Sequence, residues 1–525
     1  MNTAPSSSTH LVEKDETRIS EMSYMIRSDI PESCETMTLS SEMTEPSPQF
    51  SGTPSTTNTD VSIDVAEGLP EESEARELID AYYKFFHSAH PFAPEKTYLL
   101  RMHSIDAATR PLYLAICYVG SLHHQSPPRG DLKQLALQYT QVNQTSQCDV
   151  DPKGIYQVSA MLLLAIATHG QTEMSEANDL LQKAISFSSQ LGMNRVGFLD
   201  TLSDTELSEL CKRTYWYLYI VASALTGDDC EVVFEPAPAF PLPCARGASE
   251  KVTLLQFDTA DFEDHSYSFS SLTYLIALVR VGRSIRGLCE RSKGQPDRTI
   301  VRADALLMNW KLHLPPDKQH VFTRNGEIDD VMFQSHILFH SLCIYVHTTL
   351  SSKVGSTDDV LHRRRKLEAA EGAVSLLTLH PHLLQMSPLN ISSLSGIAMS
   401  NLCTSLLYES DVYTRDNTRL ILGVLKQLGE VWTAAKQEAR ALKSMARLSY
   451  SEPRNSAQDA NVSTQTSPTN ILFSDSSSLY SEIAPLVPHD ELETTPYDSS
   501  SSLTVPISES FIDSPGDAYL LSWDL

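Results

Sequence analysis

The apolar residues in the central part of the chain recur at helical spacing. Near its start, Leu78, Ala81, Tyr82, Phe85 and Phe86 fall at i, i+3, i+4, i+7 and i+8, which places them on one face of a helix. Helix-forming residues dominate this part, and no convincing strand pattern is present. The spacing therefore predicts an all-α fold.

The same spacing predicts where the other helices lie. Glycine is scarce, at 20 of 525 residues, and no strand is followed by a glycine-rich loop and a helix, which disfavours a nucleotide-binding α/β fold. Gly192 suits a left-handed residue at a helix C-terminus. Beyond the first helix, we expect helices near 111–123, 131–141, 153–169, 173–191, 205–226, 268–292, 298–313, 329–351, 358–379, 391–412 and 416–447.

Both ends of the chain differ in composition from the middle. Residues 1–70 carry three basic and twelve acidic residues, and residues 451–525 carry one basic and twelve acidic residues, with 23 Ser or Thr among 75. Such segments bury too little apolar surface to offset chain entropy. We therefore expect disordered acidic Ser/Thr-rich tails at 1–70 and 451–525, flanking a single large helical domain over 71–450. That domain keeps only −6 of the net charge of −26.

Signatures of enzymes, metal sites and membrane spans are missing from the sequence. No G-x-G-x-x-G, G-x-x-x-x-G-K-[ST], H-E-x-x-H or G-x-S-x-G motif occurs. No two of the nine cysteines are closer than fourteen positions, so a disulfide scaffold or a zinc site with paired cysteines does not fit. No apolar run reaches the roughly 18 residues of a membrane helix. The sequence predicts no cofactor, no catalytic residue and no metal ligand.

Two weaker sequence patterns contain residue types that can bind metal ions. The acidic pairs Asp228–Asp229 and Asp329–Asp330 lack the acidic fifth residue of an aspartate-rich diphosphate-binding motif, which disfavours an all-helical enzyme of the terpene-synthase type. His87 and His90 are three positions apart, as helix-borne ligands can be, but they are interpreted as polar helix-end residues.

A basic run occurs within the predicted helix near 358–379. Arg363, Arg364, Arg365 and Lys366 are flanked by acidic residues at i+3 and i+4, so a solvated helix face explains them. The alternative is a nuclear import patch.

The C-terminus mixes apolar and acidic residues. Phe511, Tyr519, Leu520, Leu521 and Trp523 are interspersed with aspartates. Acidic residues keep such side chains in water, where they can dock into a hydrophobic groove of a partner. The composition is that of an acidic transcriptional activation segment. An ordinary tail whose apolar residues fold back onto the domain is the alternative.

The third of four notable stretches contains Arg213, Tyr215, Trp216 and Tyr219, an arginine followed by aromatic residues on an apolar helix. The four stretches are 77–100, 161–196, 209–230 and 305–316. In this order they resemble the middle homology domain of fungal zinc-cluster transcription factors, particularly the xylanolytic-activator-like branch. The four named residues match the strongest motif of that family in type. The third stretch departs from the family where an acidic residue and a Gly-Arg-Pro are common.

The resemblance does not extend to a DNA-binding module. A binuclear zinc cluster needs six cysteines beside a Lys/Arg-rich run, whereas residues 1–70 are acidic and contain only Cys34. No DNA-binding residue is identified. We expect that the module has been lost, that it is encoded by an upstream exon absent from this sequence, or that a partner supplies it.

The resemblance implies a transcriptional regulator in the nucleus, controlling a catabolic or secondary-metabolite gene cluster. Activation would come from the C-terminal tail, and the helical domain would provide partner contact and control. The expected partners are the transcription machinery or a DNA-binding zinc-cluster factor, with DNA contact indirect or through the missing module; homo- and heterodimers stay open. The alternatives are a co-regulator that binds a zinc-cluster factor without touching DNA and, less favoured, an all-helical enzyme.

Overall fold

The protein is helical throughout the part that the structure describes. In this computed structural model the sixteen α-helices are joined by turns and two short 3₁₀ segments, and the only strand-like pairing within the described ranges is two isolated bridges, so the all-α prediction is confirmed. The predicted tails lie almost entirely outside these ranges. The described residues are 69–124, 130–142, 151–225, 234, 236, 239–243, 252–259, 269–291, 296–350, 357–407 and 412–451.

The helices are numbered in chain order. They are α1 (Glu72–Phe85), α2 (Lys96–Ile105), α3 (Arg110–Leu122), α4 (Gly130–Val142), α5 (Gly154–Gly170), α6 (Met174–Leu191), α7 (Val196–Asp200), α8 (Thr205–Leu225), α9 (Leu254–Thr259), α10 (Ser271–Arg291), α11 (Pro296–Leu312), α12 (Asp330–Thr349), α13 (Thr357–Leu379), α14 (Asn390–Leu407), α15 (Val412–Leu428) and α16 (Thr433–Ser451).

Helix α5 lies at the centre of the fold. Fifteen of its seventeen residues are buried, and it packs against α3, α4, α6, α8 and α16. A helix that is apolar on every side must be surrounded by other helices. At its C-terminal end the packing is close, because a Cβ atom on Gly170 would lie 2.5 Å from the ring of Trp432.

The end of α6 follows the sequence-based expectation. Gly192 adopts φ +77° and ψ 20°, in the left-handed region, and the backbone N–H of Met193 donates to the carbonyl of Ser188 at 3.0 Å. This is the hydrogen bond of a helix-terminating Schellman turn, in which glycine avoids the strain of a side chain. The predicted C-cap is therefore confirmed.

The single helix predicted over 416–447 is wrong, because the structure has two helices, α15 and α16, in that range. The break lies at Gly429, whose missing side chain lets the backbone approach Lys436: a Cβ there would lie 3.0 Å from the Cα of Lys436. The turn brings α16 back against α15 and buries Trp432 completely. Apolar spacing does not predict the short helices α2, α7 and α9 either, since none of them has a wide apolar face.

Two hydrophobic cores hold the helices together. The first core surrounds α3, α5 and α8, and contains Trp216 and Trp432. The second core is smaller, lies between α10, α11 and α12, and contains Trp310. Helices α10 and α12 contribute side chains to both cores, so the cores meet along these two helices.

Candidate functional site

The aromatic residues of the motif on α8 are buried in the first core. Tyr215, Trp216 and Tyr219 are each at most 3% exposed. The indole N–H of Trp216 donates to the carbonyl of Pro241 at 2.8 Å, and the ring of Tyr215 packs on Phe240 with centroids 4.2 Å apart. These contacts attach the segment 239–243 to α8.

Arg213, on the same helix, contacts the chain segment that follows α1. Its Nε donates to Glu209 at 2.8 Å and its Nη1 donates to the carbonyl of Pro91 at 3.1 Å. One turn further on, the hydroxyl of Tyr217 donates to the carbonyl of Ala89 at 3.1 Å. The guanidinium of Arg283 lies over the ring of Tyr219, 5.3 Å from its centroid. All four motif residues therefore contact other parts of this chain.

The basic run lies on α13 and is divided between solvent and interior. Arg364 and Arg365 are exposed and both lie near Glu368, with N–O distances of 2.8 and 3.6 Å. Arg363 is half-buried, and burial lowers the pKa of the half-buried Lys366. The run therefore does not present four equally accessible cations. Its role as a nuclear import patch stays a prediction.

One of the two acidic pairs has clear partners within the fold. Asp329 caps the N-terminus of α12 by accepting a backbone N–H and also accepts from Lys318 at 2.9 Å. Asp330 and His380 are both buried, with 2.9 Å between the carboxylate oxygen and Nε2. The pair Asp228–Asp229 lies outside the described residues.

The two candidate histidines lie in aromatic surroundings. His90 is fully buried with its ring stacked on Phe86 at 4.3 Å, and burial lowers its pKa to about 3. His87 lies beside Tyr83, with ring centroids 4.8 Å apart. Within the described ranges, no three His, Cys, Asp or Glu side chains come close enough together to hold a metal ion.

The residues of the predicted activation segment, Phe511, Tyr519, Leu520, Leu521 and Trp523, lie outside the described residues. None of the helices that are described has the length and apolar character needed to cross a bilayer.

A cavity of about 90 Å³ opens where α8, α10, α12 and α14 meet. On α10 its lining residues are Leu275, Val279, Gly282 and Arg286, which recur at i, i+4, i+7 and i+11 and so share one face of that helix. The cavity lies where the two cores meet, since Leu275 belongs to the first core and its neighbour Leu342 to the second.

Five polar residues line the cavity, and the sequence patterns identified none of them as site residues: Ser223, Arg286, Gln334, Asn390 and Ser393. The sequence offers a sign of Arg286, because this cation continues the apolar stripe of α10. It offers no sign of Asn390, which lies at the start of α14, more than a hundred residues from Arg286. Its contribution to the cavity depends on how α14 packs against α12.

The chain is similar to a fungal transcription factor and to two fungal regulatory proteins. A protein named C6 finger domain transcription factor iacK, from Pestalotiopsis fici, is 25% identical over 437 residues, covering 76% of this chain and 63% of that protein. An acetamidase regulatory protein from Aspergillus oryzae is 24% identical over 432 residues, covering 77% of this chain and 53% of that protein. The protein of the same name from Aspergillus fumigatus is 22% identical over 319 residues, covering 58% and 39%.

These relatives are named as a transcription factor or as regulatory proteins, and none as an enzyme. This chain spans from about two fifths to about three fifths of their lengths. No protein-family model matches the chain. No solved structure matches it either.

Proposed function

We propose that this chain is a transcriptional regulator of a fungal gene set and acts in the nucleus. The observation that carries the proposal is the similarity to a C6 finger domain transcription factor over 76% of the chain. The predicted tails make up less than a third of the sequence, so a similarity of that extent includes most of the helical body. The gene set we propose is a catabolic or secondary-metabolite cluster.

In this proposal the helical body over 71–450 provides partner contact and control. The contacts of α8 support such a role, because they hold two other chain segments against this helix, the residues after α1 and 239–243. The apolar and acidic residues of 451–525 would recruit the transcription machinery by docking into a hydrophobic groove.

A reporter experiment tests the activating tail. Residues 451–525 are fused to an unrelated DNA-binding domain, and reporter expression is compared with that of the DNA-binding domain alone. We expect a gain that is lost when Phe511, Leu520, Leu521 and Trp523 are replaced together by Ala. A matched control replaces four serines, Ser499, Ser500, Ser501 and Ser502, by Ala and should keep the gain. No gain, or a gain that survives the first set of replacements, contradicts the proposal.

A second candidate is a co-regulator that binds a zinc-cluster factor and does not contact DNA. In this candidate the partner factor supplies the zinc cluster that contacts DNA. In both candidates the chain is present at promoters, as a homodimer, as a heterodimer or as a co-regulator bound to another factor.

Chromatin occupancy of the full chain, tagged at the N-terminus and expressed in its own host, separates these candidates from an unrelated role. Discrete promoter peaks support a regulator, and absence of peaks with clear expression argues against both candidates. Retention of promoter DNA by the purified chain then favours direct contact. Co-precipitation of a zinc-cluster factor without such retention favours the co-regulator.

A further inference from the structure

The cavity between α8, α10, α12 and α14 contains a buried hydrogen-bond donor that has no acceptor in the described part of the chain. Asn390 is 5% exposed, and its Nδ2 has no hydrogen-bond partner among the described residues. Its backbone N–H is satisfied separately, by the carbonyl of Ser387 at 3.1 Å. Buried polar groups are nearly always paired, and an unpaired one is expected where a ligand or water supplies the missing partner.

A cation lines the same cavity. Arg286 donates from Nη2 to the carbonyl of Ser223 at 2.7 Å, near the C-terminal end of α8 where carbonyls lack helical partners. Its guanidinium has further N–H donors, and no carboxylate of the described part of the chain lies within ion-pair distance of it. Arg280, on the same helix, differs because both of its terminal nitrogens pair with Asp258, at 2.9 and 3.1 Å.

The rest of the cavity is mainly apolar. Leu275 and Val279 line it from α10, and Leu338 and Leu342 line it from α12. Leu389, the residue before α14, also lines it. A mostly apolar cavity with a small number of polar groups is typical of sites for small organic ligands. Ser223, Gln334 and Ser393 also line the cavity, and the first two already donate to the carbonyls of Tyr219 and Ala89. Arg286 has further N–H donors, and the Nδ2 of Asn390 has no partner among the described residues. One of these two residues is cationic, so the group that complements them is an anion that accepts hydrogen bonds.

We propose that this cavity binds a small organic carboxylate. Its carboxylate group accepts hydrogen bonds from Arg286 and Asn390, and its apolar body packs against the leucines of α10 and α12. Such a ligand would contact four helices at the place where the two hydrophobic cores meet. Binding would therefore stabilise the packing of one core against the other. The binding itself is independent of a role in transcription and is measured without a transcriptional readout.

Thermal unfolding and calorimetry of the purified full chain test the proposal. The probes are sodium butyrate, hexanoate and octanoate, with hexan-1-ol and hexylamine as controls for the apolar body and for charge. We expect at least one carboxylate of the series to raise the midpoint of unfolding with increasing concentration, because a ligand that binds only the folded state stabilises it. The alcohol and the amine should have no comparable effect.

Two variants identify the donors. Arg286→Gln removes the cation, and Asn390→Leu removes the unpaired amide while keeping a side chain of similar size. We expect each to weaken carboxylate binding about tenfold or more, since hydrogen bonds to a charged group are the stronger kind. Arg280→Gln is the matched control, because it removes an arginine from the same helix outside the cavity, and it should leave binding unchanged.

Several outcomes would overturn the proposal. They are no response to any carboxylate in the series, equal responses to hexanoate and hexan-1-ol, or unchanged carboxylate binding in both cavity variants. If Arg286→Gln alone fails to fold, Asn390→Leu still decides the result. Failure of this test would leave the transcriptional proposal standing, and failure of chromatin occupancy would not affect carboxylate binding.

Discussion

The first and second hydrophobic cores are assembled from different parts of the chain. The second core takes its buried side chains from Tyr274 to Leu350, so the helices that form it follow one another in the sequence. The first core extends from Ala75 to Leu442 and joins helices from both ends of the helical body. Contacts between distant residues carry a larger loop-closure cost. The first core therefore depends on the integrity of the whole body, whereas the second depends mainly on α10, α11 and α12.

The cores also differ in how closely their helices approach. In the first core, α1 and α3 meet at Gly120, where a Cβ atom would lie 1.9 Å from the carbonyl oxygen of Leu78. At the edge of the second core, a Cβ on Gly282 would lie 3.3 Å from the terminal methyl groups of Leu342. The first contact is with the backbone, which cannot move alone, and the second is with the end of a flexible side chain.

The largest expected effect comes from adding a methyl group at Gly120, and the same change at Gly282 is the comparison. Gly120→Ala should lower the free energy of unfolding by about 3 kcal/mol or more, because α1 and α3 must separate. Gly282→Ala should cost less than about 1 kcal/mol, because Leu342 can adjust. Urea unfolding of the full chain measures both. Equal losses would show that the two cores are packed alike.

A second comparison uses the three buried tryptophans. The indole N–H groups of Trp216 and Trp310 donate to the carbonyls of Pro241 and Tyr274, at 2.8 and 2.9 Å, whereas that of Trp432 has no acceptor among the described residues. Replacement by Phe removes the same volume in each case. We expect a loss of about 1–3 kcal/mol for Trp216→Phe and for Trp310→Phe, because each removes an indole N–H that donates to a carbonyl.

Trp432→Phe should cost less than either of them, because it also removes a buried donor that has no partner. Denaturant unfolding followed by far-UV circular dichroism measures all three without relying on tryptophan fluorescence. A loss for Trp432→Phe as large as that for Trp216→Phe would indicate that the indole of Trp432 has an acceptor or packs better than the benzyl ring can.

Three histidines that are buried or half-buried make the fold sensitive to acid. Burial lowers the pKa of His90 to about 3 and the pKa values of His123 and His169 to about 4, against 6.5 for an unfolded histidine. Between these values the unfolded state binds protons that the folded state does not. The free energy of unfolding should therefore fall as the pH is lowered below about 6.5, by about 1.4 kcal/mol per pH unit for each such histidine.

The variant His90→Phe should reduce the dependence of the free energy of unfolding on pH by the contribution of one histidine. It keeps an aromatic ring stacked on Phe86. Urea unfolding at several pH values between about 7.5 and 4.5 measures it, and the value at the highest pH separates the packing effect from the titration. An unchanged slope in the variant would mean that His90 does not stay neutral in the folded protein.

The smallest expected effect comes from a position that belongs to neither core. Gly423 is exposed on α15, and a Cβ there would meet no atom within 4 Å. Gly423→Ala should raise the free energy of unfolding by about 0.5–1 kcal/mol, because alanine favours the helix and restricts the unfolded chain. The midpoint of thermal unfolding measures it. A loss of stability would show that α15 contacts other residues at this position.

Much of the helical layout is predictable from the sequence, because helix formation depends on nearby residues. The stripe that includes Leu78 and Tyr82 marks α1, and Gly192 marks the end of α6. The prediction failed at Gly429, where the sequence continues a helical pattern but the chain turns. That turn depends on the close approach of Lys436 and the burial of Trp432, and apolar spacing contains no information about either.

The candidate site was less predictable than the fold. The residues of the α8 motif were identified from a resemblance, but their partners, such as Pro241 and Pro91, were not. The cavity residues Arg286 and Asn390 were not identified as a pair, because they lie on different helices far apart in the sequence. Periodicity places a residue on a face of its own helix, but it does not say which other helix that face will contact.

The sequence by itself determined the all-α class, the approximate positions of the longer helices and the glycine end of α6. These features arise from interactions within a few residues, such as the i to i+4 hydrogen bonds and the spacing of apolar side chains. Only the tertiary structure decided which helices meet, that Asp330 pairs with His380, and that four helices enclose a cavity containing Arg286. These features depend on contacts between residues distant in the sequence, which are specified by the packing of the whole body.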